Sequence, residues 1–146
     1  MKYDVIIRNG HVIDPANRMD QIADVAIQDG KIAAVQACIS ENGTKEYDAS
    51  GLYVTPGLID MHCHCYPTFP MYEDSLPTIH PDAHMFRTGV TTAVDAGTTG
   101  WKDFPRFKET VIDCSRTRVL AFINIADEGM VHLDGEQEPV NFHPEI

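Results

Sequence analysis

The sequence predicts an α/β fold in which a small β-sheet precedes a parallel sheet built from repeated βα units. Two turn signals, Asn9-Gly10 and Asp29-Gly30, separate short apolar segments near the start of the chain, and such pairs favour tight β-hairpins. Further along, the apolar runs are separated by helical patterns. These runs begin at intervals of roughly 30 residues, which is the length of one βαβ unit. We therefore divide the chain into residues 1–54 and residues 55–146.

The first 54 residues are predicted to form a small antiparallel sheet with one face to bury. Short apolar segments bounded by turn residues are typical of such strands. In chain order, the predicted elements are strands at Tyr3–Arg8 and Val12–Asp14 around the first turn signal, strands at Asp24–Gln28 and Lys31–Val35 around the second, a polar loop at Ser40–Thr44 and a short strand at Gly51–Val54.

Residues 55–146 are predicted to contain buried parallel strands, because continuous apolar runs are typical of sheets covered on both faces. The predicted strands are Leu58–His62, Val90–Asp95 and Val119–Ile125. Between the first two, Pro81–Arg87 is a predicted short helix, with Pro near its start and Gly89 just past its end. An amphipathic helix is predicted between the last two, from apolar side chains at helical spacing behind a candidate N-cap, namely Phe104, Phe107, Val111 and Cys114 behind Asp103.

Repeated βα units build either a doubly wound sheet or a (β/α)8 barrel. A barrel takes roughly 250 residues, so the barrel interpretation requires this chain to be the N-terminal part of a longer protein. The last residues, 141–146, show no closing element, which fits truncation. The alternative is a small α/β domain whose C-terminal tail is a loop.

The composition excludes several classes of function. Of the 146 residues, 43% are hydrophobic, which is ordinary for a globular domain. Eleven Lys and Arg residues against 22 Asp and Glu leave a formal net charge of −11, so the field that would attract nucleic acid or an anionic membrane is absent. No segment approaches the roughly 20 apolar residues of a membrane span, and the N-terminus becomes charged too early for a signal peptide. We expect a cytoplasmic protein with free thiols at its four cysteines.

The segment Pro56–His64, with the sequence PGLIDMHCH, carries the sharpest chemical signal. Side chains alternate between the two faces of a strand, so Asp60, His62 and His64 are predicted on one face. The strand ends there, at the edge where parallel α/β folds place their active sites. Because paired neutral imidazoles suit Zn²⁺ or a similar divalent ion, we predict that His62 and His64 are metal ligands.

The opposite face of this strand carries Met61, Cys63 and Cys65. The two cysteines could serve as thiolate ligands only with two further Cys or His residues on that face, so we predict instead that they are small core residues. A redox pair is possible, although no partner motif supports it. Several other polar residues are predicted to be solvated or satisfied at the surface, namely His11, His80, His84, His132, His143 and the acidic stretch of Asp127, Glu128, Asp134, Glu136 and Glu138.

Two further segments are predicted at the histidine edge. Asp95–Gly100 closes the second parallel strand and is either a plain βα turn or a loop that contacts substrate. In the second case Gly97, Thr98 and Thr99 would bind substrate. Tyr66–Ile79 contains several prolines and aromatics and is long enough to form a lid or pocket wall.

These residues resemble the amidohydrolase superfamily. The resemblance rests on Pro56–His64 after an N-terminal sheet, and on Gly89–Gly100 and Asn124-Ile125, which are most similar to the deacetylase, or dihydroorotase-like, branch. It implies the N-terminal part of a (β/α)8 TIM barrel preceded by half of a small β-sandwich to which both chain termini contribute. It further implies that His62 and His64 bind the first of one or two divalent metals, usually zinc. A carboxylated Lys, two more His and a catalytic Asp would follow beyond residue 146.

The resemblance also implies a function for the full-length protein. Metal ions would activate water and polarise the scissile carbonyl, and the later Asp would transfer the proton. The expected substrates are small molecules, namely N-acyl amino acids or O-acetyl hydroxy acids, and the full-length protein is expected to be a homo-oligomer. The alternatives are a cyclic amidase of the dihydroorotase or hydantoinase type, or a non-catalytic metal-binding fragment. The 146-residue segment alone is expected to be inactive.

Overall fold

The computed structural model describes residues 3–67, 77–130 and 137–143 and divides the chain into two compact units, Met1–Pro56 and Gly57–Ile146. The strands of the first unit are β1 (Tyr3–Asp14), β2 (Met19–Gln28), β3 (Lys31–Gln36), β4 (Gly43–Asp48) and β5 (Tyr53–Val54). The second unit contains β6 (Leu58–Cys63), α1 (Pro81–His84), β7 (Val90–Gly100), α2 (Phe104–Phe107) and β8 (Arg118–Asn124).

The first unit is a mixed sheet with the order β3-β2-β1-β4, and β5 pairs with a later part of β1. The strand pairs β1–β2 and β2–β3 are antiparallel, whereas β4 and β5 run parallel to β1. The prediction of a purely antiparallel sheet is therefore wrong. The reason is that the chain crosses after β3 to the far side of β1, where it forms β4. The last two residues of the predicted polar loop Ser40–Thr44 already belong to this strand.

The two turn signals of this unit behave differently. Asp29-Gly30 forms the predicted hairpin between β2 and β3, and both residues have positive φ (52° and 70°), as a type I′ turn requires. Asn9-Gly10 does not form a hairpin, because it lies inside the continuous strand β1. Asn9 has a φ of 58°, and the register with β2 shifts here, as in a β-bulge.

Contacts with distant residues explain the bulge at Asn9. The backbone N–H of Asn9 donates to Oδ1 of Asp24 at 2.8 Å. A Cβ atom on Gly10 would lie 2.4 Å from Cγ2 of Val54, so β5 can approach β1 only because this residue is glycine. Because of these two contacts, the Asn-Gly pair lies within a strand rather than at a turn.

The second unit is a parallel sheet with the order β6-β7-β8, which confirms the predicted strands and their direction. Side chains from its strands and helices share one buried cluster, whose members are Cys63, Cys65, Tyr66, Met85, Ala93, Phe107, Val111 and Val119. Other large apolar side chains remain exposed, namely Ile59 and Met61 of β6, Phe122 of β8, and Ile125. The prediction that these strands are buried on both faces is therefore not met by the described residues.

The helices of this unit are shorter than predicted. α1 is followed by a 3-10 turn at Phe86–Thr88. This turn ends at Gly89, whose φ of 78° is left-handed, as the Gly signal predicts. α2 continues as a π-helix at Lys108–Ile112. Among the described residues, no helix is long and apolar enough to cross a membrane.

Two details of α2 differ from the predicted amphipathic helix. Phe107 and Val111 are buried as expected, but Cys114 is exposed, because the π-helical hydrogen bonds change the residue spacing after Phe107. Asp103 makes no side-chain capping hydrogen bond. Its backbone is already helical, whereas an N-cap residue is normally extended.

Candidate metal centre

His62 and His64 lie together at the carboxyl end of β6. Their ring centroids are 5.4 Å apart and the ring planes meet at 77°. The backbone N–H of His62 donates to Oδ1 of Asp60 at 3.0 Å, so the side chain of Asp60 accepts a hydrogen bond from its own strand. The prediction that the two imidazoles are close together is confirmed, and their role as metal ligands stays a prediction.

Cys63 and Cys65 are buried among the side chains that pack against the helices, which confirms that they are core residues. Their Sγ atoms are 3.4 Å apart. Burial raises the pKa of both thiols, which favours their protonated form. Met61, which alternation places with them, remains 76% exposed, and the pairing of β6 with β7 is interrupted between Asp60 and Cys63.

A hydrogen-bonded chain connects β7 to the second histidine. Nδ1 of His64 lies 2.8 Å from Oγ1 of Thr98. The hydroxyl of Thr98 donates to Oδ2 of Asp95 at 2.8 Å, and the carboxylate also accepts from the backbone N–H of Thr98 and of Cys65. The sequence places Asp95–Gly100 at the histidine edge, and this contact confirms it. The sequence does not predict this series of hydrogen bonds, because it depends on the register between β6 and β7.

The three residues predicted to bind substrate all belong to β7 itself. Thr98 and Thr99 are fully buried, and Gly97 has a left-handed φ of 83°. The carbonyl oxygen of Gly97 accepts a hydrogen bond from Nδ2 of Asn124 at 3.1 Å. The segment is therefore an irregular strand end rather than a plain turn, and substrate contact by these residues stays a prediction.

The acidic stretch after β8 is predicted to be solvated, but its first residue, Asp127, is only 3% exposed. Its Oδ2 atom lies in ion-pair contact with Nζ of Lys102 and 3.2 Å from Nε2 of His143. The hydrogen bond from Lys102 lowers the pKa of this carboxyl. His143 is therefore not isolated. The sequence signal for this cluster is that Lys102 and Asp127 each follow the carboxyl end of a neighbouring strand.

The remaining predicted features are not part of the histidine pair or lie outside the described residues. His80 and His84 are exposed, and Nδ1 of His84 contacts the carbonyl oxygen of His80 at 3.0 Å, so this contact stays within one helical turn. A cavity of about 330 Å³ lies on the helix side, with Cys65, Val111 and Cys114 in its wall. His132, Asp134, Glu136 and residues 68–76 of the predicted lid lie outside the described residues.

The donor atoms of this edge fit part of a zinc site. Two imidazoles share the edge, and the contact of His64 through Nδ1 leaves its Nε2 for a metal. Catalytic zinc usually has three protein ligands, and within residues 3–67, 77–130 and 137–143 no group of three or more His, Cys, Asp or Glu side chains could hold a metal. The described part of the chain therefore offers two candidate ligands, and a catalytic zinc would need at least one more.

Comparison with known proteins identifies relatives over most of the chain, although no protein-family model matches it. A deacetylase of Enterococcus faecalis is 36% identical over 135 residues, which are 92% of this chain and 34% of the relative. Among solved structures, an adenine deaminase is 32% identical, with a TM-score of 0.76 over 98% of this chain and 36% of that one. A dihydroorotase structure is 30% identical, with a TM-score of 0.73 over 87% of this chain and 32% of that one.

The chain thus spans about a third of the length of each of these proteins. The relatives and structural neighbours are hydrolytic enzymes. The sequence matches and the shared fold together confirm the resemblance seen in the sequence: the chain belongs to the amidohydrolase superfamily, in its deacetylase and dihydroorotase-like branch.

Proposed function

We propose that the protein containing this chain is a metal-dependent hydrolase that cleaves amide or ester bonds of small acylated molecules, such as N-acyl amino acids or O-acetyl hydroxy acids. The observation that carries the proposal is the adjacent pair His62 and His64 at the carboxyl end of a parallel strand. The identity to a deacetylase along 92% of the chain supports the acyl substrate class.

In this proposal His62 and His64 would hold one of one or two divalent metals, with zinc as the expected ion. A bound metal of this kind lowers the pKa of a water molecule toward about 7 and polarises a carbonyl group. The other residues of this edge orient the ligands: Asp60 fixes the backbone of His62, and Thr98 contacts the ring of His64. The remaining ligands and the catalytic Asp would come from parts of the protein beyond residue 146.

The proposed architecture follows the same reasoning. Residues 1–54 would be the N-terminal part of a composite β-sandwich, and residues 55–146 the first three βα units of a TIM barrel. The order β6-β7-β8 supports the barrel, because consecutive parallel strands are neighbours in it. We propose a cytoplasmic homo-oligomer for the full-length protein.

A cyclic amidase is the second candidate function. The dihydroorotase structure matches 87% of the chain at a TM-score of 0.73, which supports this class over nearly the same residues as the deacetylase. The two candidates differ in substrate, since one takes open acyl groups and the other takes cyclic ureides and imides.

The test uses the full-length protein loaded with Zn²⁺ and a panel of acyl esters, N-acyl amino acids and cyclic ureides. We expect acyl hydrolysis, and we expect the double variant His62→Ala, His64→Ala to lose about 10³-fold or more in kcat/KM, since a metal contributes several kcal/mol to such reactions. The variant should also lose bound zinc, measured by elemental analysis.

The matched control is His80→Ala, His84→Ala, which removes two exposed histidines that form no metal-binding group with the pair among the described residues. This control should keep its zinc and its turnover. Turnover of cyclic ureides alone would establish the second candidate, and an unaffected His62, His64 double variant would overturn the metal assignment. Residues 1–146 alone should show no turnover, because their described part offers two candidate ligands and a catalytic zinc usually has three.

A further inference from the structure

The carboxylate of Asp95 is completely buried and accepts hydrogen bonds on both oxygens. Oδ1 accepts from the backbone N–H of Thr98 at 2.8 Å, and Oδ2 accepts from the backbone N–H of Cys65 at 2.7 Å and from the hydroxyl of Thr98 at 2.8 Å. The hydroxyl of Thr98 is the donor in its bond to Oδ2, so the carboxylate accepts all three of these hydrogen bonds.

This direction determines the proton position on the neighbouring imidazole. A threonine hydroxyl has one hydrogen, and Thr98 donates that hydrogen to Asp95. Toward His64 the Thr98 oxygen can therefore only accept, so Nδ1 of His64 must carry a hydrogen across the 2.8 Å contact. Thr98 is fully buried, so water does not compete for its hydroxyl.

We propose that Asp95 and Thr98 are positioning residues that hold the proton of neutral His64 on Nδ1 and thereby present the lone pair of Nε2 to a metal. A metal-binding imidazole needs one unprotonated nitrogen, and the hydrogen bond made by the other nitrogen selects which one it is. The effect on metal binding rests on the proposed function. The proton position does not, because it can be measured in metal-free protein.

Thr99 provides a matched control for Thr98. Both threonines are fully buried and adjacent on β7, but Oγ1 of Thr99 has no hydrogen-bond partner within the described part of the chain. Replacing either residue with Val removes the hydroxyl and keeps the shape. Because Thr99 is predicted to contact substrate, this control is compared in proton position and metal affinity rather than in turnover.

The first measurement is the long-range ¹H–¹⁵N spectrum of metal-free, full-length protein with labelled histidine, recorded above pH 7 and assigned with a His64→Gln variant. Wild type, Thr98→Ser and Thr99→Val should show the proton on Nδ1 of His64. Thr98→Val should move proton population to Nε2. A wild-type His64 protonated on Nε2 would overturn the proposal whatever the metal binding shows.

The second measurement is Zn²⁺ affinity by competition with a chelator. Loss of a hydrogen-bond partner behind a ligand typically costs about 10- to 100-fold in metal affinity, and we expect this loss for Thr98→Val, recovery in Thr98→Ser and no change in Thr99→Val. Unchanged affinity in a folded Thr98→Val would overturn the role in metal binding. If Thr98→Val does not fold, the wild-type and Thr98→Ser spectra still decide the proton position.

The two proposals can fail separately. A wild-type protein with the proton on Nδ1 but no affinity for Zn²⁺ would overturn the proposed function and, with it, the role of Asp95 and Thr98 in metal binding, while the proton position would stand. A protein that binds zinc at His62 and His64 with the proton on Nε2 in the metal-free state would overturn the positioning role alone.

Discussion

The same Asp–Thr hydrogen-bonding pattern occurs at the two ends of the parallel sheet. At the amino end, Oδ1 of Asp82 accepts from the backbone N–H and the hydroxyl of Thr117, both at 2.8 Å. At the carboxyl end, Asp95 accepts from the same two groups of Thr98. The difference is that Thr98 also contacts a histidine ring, whereas the described contacts of Thr117 connect α1 to the start of β8.

This difference shows that the local pattern does not determine the function of the pair. Each carboxylate accepts hydrogen bonds from a threonine and from the backbone amide of another residue, which stabilises the fold in each case. The pair at the carboxyl end contacts a candidate metal ligand, His64, and parallel α/β folds place their sites at that end. The amino end of such sheets usually contributes stability.

The largest expected effect comes from removing each carboxylate. Asp95→Ala leaves three buried donors without an acceptor, each of which costs roughly 1–3 kcal/mol, so we expect a loss of about 4 kcal/mol in the free energy of unfolding. Asp82→Ala should cost about 1 kcal/mol, because water can replace this partly exposed side chain. Denaturant unfolding of the full-length variants measures both, and equal losses would contradict the distinction between the two ends.

A second comparison uses one glycine at each end. A Cβ atom on Gly100 would lie 1.9 Å from the carbonyl oxygen of Ala126, which is backbone and cannot move aside. On Gly57 it would lie 2.0 Å from Oγ1 of Thr91, which is an exposed side chain. We expect Gly100→Ala to lower the free energy of unfolding by about 3 kcal/mol and Gly57→Ala by about 1–2 kcal/mol. Thermal unfolding measures both losses. The reverse order would show that the carboxyl end is the more adaptable one.

The smallest expected effect is a pH dependence at the amino end. The backbone amides of Arg116 and Thr117 hold the pKa of Asp82 below its ordinary value near 3.8. A lowered folded-state pKa contributes stability above the unfolded-state pKa, and this contribution is lost as the pH falls through the folded-state pKa. Asp82→Asn cannot titrate, so its stability deficit relative to wild type should shrink from about pH 6 to about pH 3. A deficit that stays constant in unfolding experiments would contradict the lowered pKa.

The histidine pair could be predicted from the sequence because alternation along a strand is a local property. Its separation from Cys63 and Cys65 needs only the period of two residues. The hydrogen bonds that connect Asp95 through Thr98 to His64 could not be predicted. They depend on the pairing of Cys63 in β6 with Asp95 in β7. No local rule sets that register.

The turn signals show the same limit. Asp29-Gly30 forms the predicted hairpin, since its neighbours on both sides pair with each other. Asn9-Gly10 has equally good turn chemistry, but Asp24 and Val54 decide its conformation from distant positions. The burial of Asp127 likewise depends on Lys102, which follows a different strand.

The alternation of β6 also limits how this segment can change during evolution. The rings of His62 and His64 contact each other at one edge of the sheet. Cys63 and Cys65 belong to the buried cluster that packs against the helices. Inserting or deleting one residue just before this stretch would exchange the two sets, placing imidazoles in the core and thiols at the edge. Substitutions here change one side chain at a time, whereas a change in length would disrupt both the packing and the proposed site. We therefore expect related sequences to vary in residue type along this strand more readily than in its length.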